Sequence, residues 1–324
     1  MRVIVSETAA RLLDERRTRV PPDLDIVFMR GDGTIDGDTA VALSPEIAWA
    51  TGDLFFYGDG RSLQAWGRML FHSDTLRWFQ SPAAGWLAIY EPLLARGVRI
   101  TSAHENYIPI AEYMLRAVLT HFQRAHEWTH AQRAHLWRPH EFREVYETTW
   151  LVVGLGAIGG AVAERARAFG ARVIGVRRHP TGREQVDEML TPEKVLGVLR
   201  ACDVVVLAAP ATSETAGLVD AEFLDAMKPG SVLVNVARGA LVDEAALLAA
   251  LDRGRPEAAI LDVFATEPLP IESAFWDHPR VIVTPHSSAG GLARHGRLAD
   301  LFVENLASYR AGEPMRHEIA APAR

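Results

Sequence analysis

Short apolar runs alternate with longer one-faced segments along this chain, and the alternation occurs in two blocks. In the first hundred residues the runs at 2–5, 25–28, 54–57, 77–80 and 98–101 are β-branched or aromatic and end in polar or turn residues, which predicts strands. The stretches at 6–17 and 62–71 are long enough for crossover helices. From Ile108 the apolar positions Ile108, Ala111, Leu115, Val118, Leu119 and Phe122 recur at helical spacing, so one stripe faces a core. The stretch 127–147, rich in His, Arg and Trp, has no clean period and reads as irregular connection and surface. At Thr149 the alternation restarts, with strands expected at 149–153, 172–176, 203–208, 231–236, 258–263 and 281–284 and helices at 158–169 and 245–251. Leu298, Leu301, Phe302, Leu306 and Tyr309 mark a last amphipathic helix that no strand follows.

Such alternation predicts an α/β protein with parallel sheets covered on both faces. The 324 residues, at roughly 150 per domain, suggest two domains. The last helix could return to the first block and leave the second as an insertion. With 34 basic and 41 acidic residues the net charge is −7, which argues against a general nucleic-acid binder. Its single cysteine, Cys202, cannot close an internal disulfide, and that favours a reducing compartment. No apolar run reaches the ~20 residues of a membrane span. The opening residues 1–7 turn polar too soon for a signal peptide, so a cytoplasmic protein is expected.

Gly154-Leu155-Gly156-Ala157-Ile158-Gly159 fits a G-x-G-x-x-G turn, entered from an apolar strand and left by a small-residue helix. That context makes it a dinucleotide site. Gly154 would permit the tight turn, Gly156 the approach of a pyrophosphate, and Gly159 the packing of helix on strand. The amides at the helix start, Ala157 and Ile158 among them, would face the anion. Where NAD sites carry an acid after the second strand, Arg177 and Arg178 stand here. Guanidinium matches phosphate oxygens, which predicts NADP, with NAD the less favoured cofactor.

Three further segments reach the carboxyl ends of strands, where open α/β sheets bind ligands. Asn235-Val236-Ala237-Arg238-Gly239 carries an arginine, Leu261-Asp262-Val263-Phe264-Ala265-Thr266-Glu267-Pro268 two acids, and Thr284-Pro285-His286-Ser287-Ser288 a histidine. With these motifs in this order, the chain resembles the D-2-hydroxyacid dehydrogenases over most of its length, most closely the glyoxylate/hydroxypyruvate reductase branch. The resemblance implies two Rossmann-like, doubly wound parallel-sheet domains. A flavodoxin-like substrate domain, 1–103 and 290–324, would be interrupted by an inserted dinucleotide-binding domain, 104–289. It further implies that Arg238 binds the substrate carboxylate and keto oxygen, that His286 is the acid/base, and that Glu267 is its partner. Asp262 would hold the nicotinamide carboxamide. Ala209, Pro210, Thr215, Val236, Ala237, His286 and Ser288 would complete the cofactor site. The types suit ketone reduction: negative charge grows on oxygen, His titrates near neutrality, and a carboxylate beside it favours the imidazolium.

The family also binds the carboxylate through amides of a first-domain loop, here Gln80-Ser81-Pro82-Ala83-Ala84-Gly85-Trp86. Ala84, Gly85 and Trp86 are the candidates, although many relatives have a small aliphatic residue and Asp where Trp86 and Leu87 stand. Leu54 and Tyr57 are further pocket candidates. Relatives are mostly homodimers through the nucleotide domain, and Trp137 matches a tryptophan that in several of them approaches the neighbouring subunit's active site. Two rival readings are a dinucleotide-sensing, corepressor-like binding protein and a zinc metallohydrolase. The second rests on His126-Glu127-Trp128-Thr129-His130, a His-Glu-x-x-His match in a histidine-rich stretch with no recognisable third ligand.

Overall fold

The computed structural model describes residues 1–30, 34, 44–52, 61–83 and 89–319. The strand expected at 54–57, the pocket candidates Leu54 and Tyr57, and Ala84, Gly85 and Trp86 all lie outside the described residues. The chain forms two compact units, Met1–Asn106 with Leu292–Arg324, and Tyr107–Gly291.

In the first unit β1 (Arg2–Ser6), β2 (Asp25–Met29), β3 (Ile47–Trp49), β4 (Trp78–Gln80) and β5 (Arg99–Thr101) pair in parallel in the order β2-β1-β3-β4-β5. This is the flavodoxin-like order. The middle strand, β3, is not among the expected ones. It has only three residues, all buried, and central position substitutes for length. The last helix, Arg294–Ala311, belongs to this unit and packs Leu298, Phe302 and Leu306 among Val3, Val5, Trp49 and Trp78. The Phe302 ring stacks 4.5 Å from that of Trp49 and 5.1 Å from that of Trp78.

The second unit contains β6 (Thr149–Val153), β7 (Arg172–Val176), β8 (Glu188–Leu190), β9 (Val204–Leu207), β10 (Val232–Asn235), β11 (Ala258–Leu261) and β12 (Val281–Val283). They form one parallel sheet in the order β12-β11-β10-β9-β6-β7-β8. The chain starts in the middle of the sheet and moves to one side, then crosses back to the other, which is the doubly wound pattern. Helices Tyr107–Phe122 and Ala157–Ala168 cover one face. Helices Ala221–Ala226 and Glu244–Asp252 cover the other with Phe223, Leu224, Leu247 and Leu251. Two covered faces explain why β9, β10 and β11 are apolar without alternation. The six expected strands are present, and β8 adds an edge.

The stretch 127–147 corrects one expectation. Its first part belongs to a helix, Ala125–Arg133, whose only buried residue is Ala131, so it offers no apolar stripe to read. Among the described residues no helix is long and apolar enough to cross a membrane.

Candidate active site

Strand β6 delivers the chain into the glycine turn. Gly154 has φ +98°, and a Cβ on it would stand 2.6 Å from the Ala209 backbone, so the turn is pressed against the end of β9. A Cβ on Gly159 would lie 2.0 Å from the Gly154 carbonyl oxygen. Gly156 differs, since a Cβ there would meet nothing within 4 Å. Gly156 is also the N-cap of helix Ala157–Ala168 and offers no side-chain cap. The leading amides, from Ala157 and Ile158 onward, therefore begin at an open cradle suited to an anion. Ala209 is buried, and beyond it Thr215 ties its own loop by donating to the Pro210 carbonyl at 2.7 Å.

At the end of β7 the two arginines have carboxylate partners that the local sequence did not reveal. Arg177 donates through Nη1 to Glu184 Oε1 at 3.0 Å and to the Leu155 carbonyl at 3.3 Å. Arg178 pairs with Glu214. Glu184 also accepts from the Thr181 amide at 2.8 Å and hydroxyl at 2.7 Å. These hydrogen bonds, and then the Arg177 charge, hold its carboxyl down at about 2. Leu155, Gly160, Arg177, Thr181 and Glu184 line a cavity of about 420 Å³ beside this turn.

The ends of β10, β11 and β12 carry the candidate chemistry. Buried Asn235 donates to the Arg238 carbonyl at 2.9 Å and accepts from the Ala237 amide at 3.0 Å, which fixes the turn. Val236 and Ala237 are buried there, while the Arg238 side chain reaches the exposed surface. Gly239 is a structurally demanding position that sequence reading did not single out. A Cβ on it would fall 1.9 Å from the Phe264 carbonyl carbon, so the arginine turn rests directly on the segment leading to Glu267.

Glu267 joins the two neighbouring loops. Its Oε1 accepts from the Phe264 amide at 3.0 Å, and its Oε2 faces His286 Nδ1 at 2.7 Å. A carboxylate only accepts, so Nδ1 carries the proton of this bond and Nε2 is the nitrogen left for a reactant. His286 is 39% and Glu267 36% exposed at the side chain, so the pair is reachable. Asp262, fully buried, accepts from the Thr284 hydroxyl at 2.6 Å and from the Ser287 and Ser288 amides at 2.9 and 3.0 Å. The structure thus brings Glu267 and His286 together. Among the described residues no hydrogen bond or ion pair joins Arg238 to either; its Nη1 donates to the Ala237 carbonyl at 2.6 Å.

Elsewhere, His126 and His130 lie one turn apart on helix Ala125–Arg133, and Glu127 is bound by Arg124 at 2.7 Å. No third metal-binding side chain joins them among the described residues. Trp137 is 99% exposed.

Residues 115–288 match the family model "D-isomer specific 2-hydroxyacid dehydrogenase, NAD binding domain", which is more than half of the chain. The chain belongs to the D-isomer specific 2-hydroxyacid dehydrogenases. Among relatives in this family, a glyoxylate/hydroxypyruvate reductase A of Serratia proteamaculans is 36% identical over 62% of this chain and 64% of its own length. That of Salmonella heidelberg is 33% identical over 65% and 67%. The chain thus aligns with about two thirds of the length of these curated relatives. A solved family member from Aeromonas salmonicida is 29% identical, with TM-score 0.81 and 98% of each chain covered. One from Xanthobacter autotrophicus, described as in complex with NADPH and MES, is 30% identical with TM-score 0.76 and the same coverage. The two parallel-sheet α/β domains of this chain are those of its family.

Proposed function

We propose that the protein is an NADPH-dependent 2-ketoacid reductase, acting on small acids of the glyoxylate/hydroxypyruvate type and giving the D-2-hydroxyacid. The observation that carries this reading is the Glu267–His286 pair at 2.7 Å, held at the carboxyl end of the same sheet that forms the glycine turn. When bound, the nicotinamide supplies the hydride. The open cradle at Gly156, with Gly154 and Gly159 closed by backbone, supports a pyrophosphate there, lined further by Ala209, Pro210 and Thr215. Asp262 Oδ2 accepts only from Ser288 among the described residues and so keeps acceptor capacity for the carboxamide, beside Val236, Ala237 and Ser288.

The chain's own residues would then act as follows. The Arg238 guanidinium, which cannot lose its charge, neutralises the substrate carboxylate and polarises the keto group. His286 gives the proton on Nε2 to the developing alkoxide. Glu267 accepts the hydrogen bond from Nδ1 and so fixes the ring with Nε2 toward the reactant. Ala84, Gly85 and Trp86 are proposed to hold the carboxylate through the first unit's loop. Arg177 and Arg178 are proposed to take the 2′-phosphate. Arg177 commits only Nη1 to the protein among the described residues, so the rest of its fork is available. The same reading includes a cytoplasmic location and a homodimer, the second supported by the exposure of Trp137.

The test is a panel of glyoxylate, hydroxypyruvate, pyruvate and a bulkier ketoacid with NADPH and NADH, followed by absorbance of the reduced cofactor. His286→Ala should lower kcat by about 10²–10⁴-fold while NADPH still binds. Unchanged turnover in His286→Ala would overturn the assignment.

A further inference from the structure

The segment carrying His286 has an unusual backbone. His286 lies at φ +48°, in the left-handed region, with its amide shared between the Asp262 carbonyl at 2.8 Å and the Thr284 carbonyl at 3.0 Å. A non-glycine residue stays there only where its surroundings over-determine the conformation. Three of those surroundings converge on one buried atom. Asp262 Oδ1 accepts from the Ser287 amide at 2.9 Å, from the Ser288 amide at 3.2 Å, and from the Thr284 hydroxyl at 2.6 Å. The residues on both sides of His286 are thus tied to a single carboxylate.

The Thr284 hydroxyl makes a second short contact, 2.6 Å to the phenol oxygen of Tyr113 on helix Tyr107–Phe122. The proton order along this chain is forced. Asp262 as a carboxylate can only accept, so the one hydroxyl proton of Thr284 points to it, and the bond from Tyr113 must use the phenol proton. Burial above all pushes the Tyr113 phenol up, and the Asp262 charge adds to this. The Arg116 guanidinium, 5.5 Å from the ring centroid, acts in the opposite sense. The phenol therefore remains a donor at neutral pH. Successive donation of this kind strengthens each bond and fixes the rotor in its middle.

We propose that Tyr113 is a positioning residue for the reductase reaction: through Thr284 it orients the Asp262 carboxylate that locks the 284–288 turn and so aims His286. This assignment rests on the reading of His286 as the acid/base. It gives helix Tyr107–Phe122 a part in the chemistry without touching a reactant.

The test compares Tyr113→Phe, Thr284→Val, Thr284→Ser and the double variant Tyr113→Phe with Thr284→Val. A misplacement of about 1 Å caused far from the chemistry can cost about 10²-fold, so a shift of about half that should cost about tenfold. The expected result is that Tyr113→Phe lowers kcat several-fold and Thr284→Val about tenfold, with KM for the ketoacid changed less than about threefold. Thr284→Ser, which keeps the hydroxyl, should restore the wild-type rate, and the double variant should be no slower than Thr284→Val alone. A wild-type kcat in Tyr113→Phe, or a double variant slowed by the product of the single effects, would overturn the relay. Should Thr284→Val fail to fold, Tyr113→Phe carries the test by itself. An activity-independent readout separates this inference from the functional one. Hydrogen exchange at the Ser287 and Ser288 amides should accelerate in Tyr113→Phe while exchange in helix Ala157–Ala168 stays unchanged. If that acceleration is seen and the wild type reduces no ketoacid, the functional reading fails and the relay stands. Unaltered exchange sinks the relay whatever the activity.

Discussion

Neighbouring glycines of one helix should respond to alanine with opposite signs. At Gly159 an added Cβ falls 2.0 Å from the Gly154 carbonyl oxygen, 3.0 Å from its carbon and 3.1 Å from Val152 Cγ1. An ordinary carbon–oxygen contact is about 3.3 Å, so helix and turn must separate by more than 1 Å at a point where both are backbone. Overpacking typically costs about 1–3 kcal/mol, and a clash between two backbone segments belongs at the upper end, about 3 kcal/mol. At Gly160, exposed in the helix, the same Cβ meets nothing within 4 Å. There the loss of unfolded-chain freedom decides, and Gly160→Ala should stabilise by about 0.5–1 kcal/mol. Urea unfolding of both variants beside the wild type measures the pair, and fluorescence titration with NADPH measures the turn. Gly159→Ala should shift the midpoint down and weaken NADPH binding at least about tenfold; Gly160→Ala should shift it slightly up. Equal midpoints for Gly159→Ala and wild type would refute the claim that this glycine exists to let helix and turn touch.

Replacing Arg177 by Asp and Arg178 by Ser should turn cofactor preference toward NADH, read as the ratio of kcat/KM for the two cofactors; a wild type that already prefers NADH would defeat the phosphate argument. Glu184 has its carboxyl lowered from 4.5 to about 2 by Thr181 and Arg177. Its stabilising contribution is therefore complete above about 4.5 and fades as pH falls toward 2, so Glu184→Gln should flatten that part of the stability profile and leave pH 7 to 8 unaffected in slope. Phe302→Ala removes the ring stacked on Trp49 and Trp78 and should cost about 3–5 kcal/mol in the first unit, with NADPH affinity of the second unchanged.

The fold was legible where burial is two-sided. Strands β6, β9, β10 and β11 are apolar runs because helices cover both faces, and a run of this type needs no partner to be recognised. The elements that escaped are those whose identity depends on context. Strand β3 has three residues and is a strand because β1 and β4 flank it. Strand β8 begins with a charged residue because it is an edge. Helix Ala125–Arg133 buries Ala131 alone, so it has no stripe. The candidate site divides in the same way. The glycine turn, Arg238, Glu267 and His286 stand in local motifs and could be read. Glu214, which faces Arg178, and Tyr113, which faces Thr284, are brought there by tertiary packing and carry no local signal, and Glu184 reaches Arg177 from seven residues further along, where no motif marks it.

The arrangement also explains why glycine, rather than a charged residue, is the structurally demanding choice next to Arg238. Strands β10, β11 and β12 are immediate neighbours, about 4.8 Å apart, so loops leaving their carboxyl ends must pass within backbone contact of one another. Gly239 is where they do so, with room for no side chain against Phe264 and Ala265. A larger residue there would lift the arginine turn off the segment that ends in Glu267, and Glu267 is tied in turn to the Phe264 amide and to His286. Displacement at one small residue would therefore reach all three ionisable groups. Substitution of Arg238 itself removes a charge at an exposed position and leaves that backbone contact untouched. Fold and chemistry are separable at position 238 and inseparable at position 239.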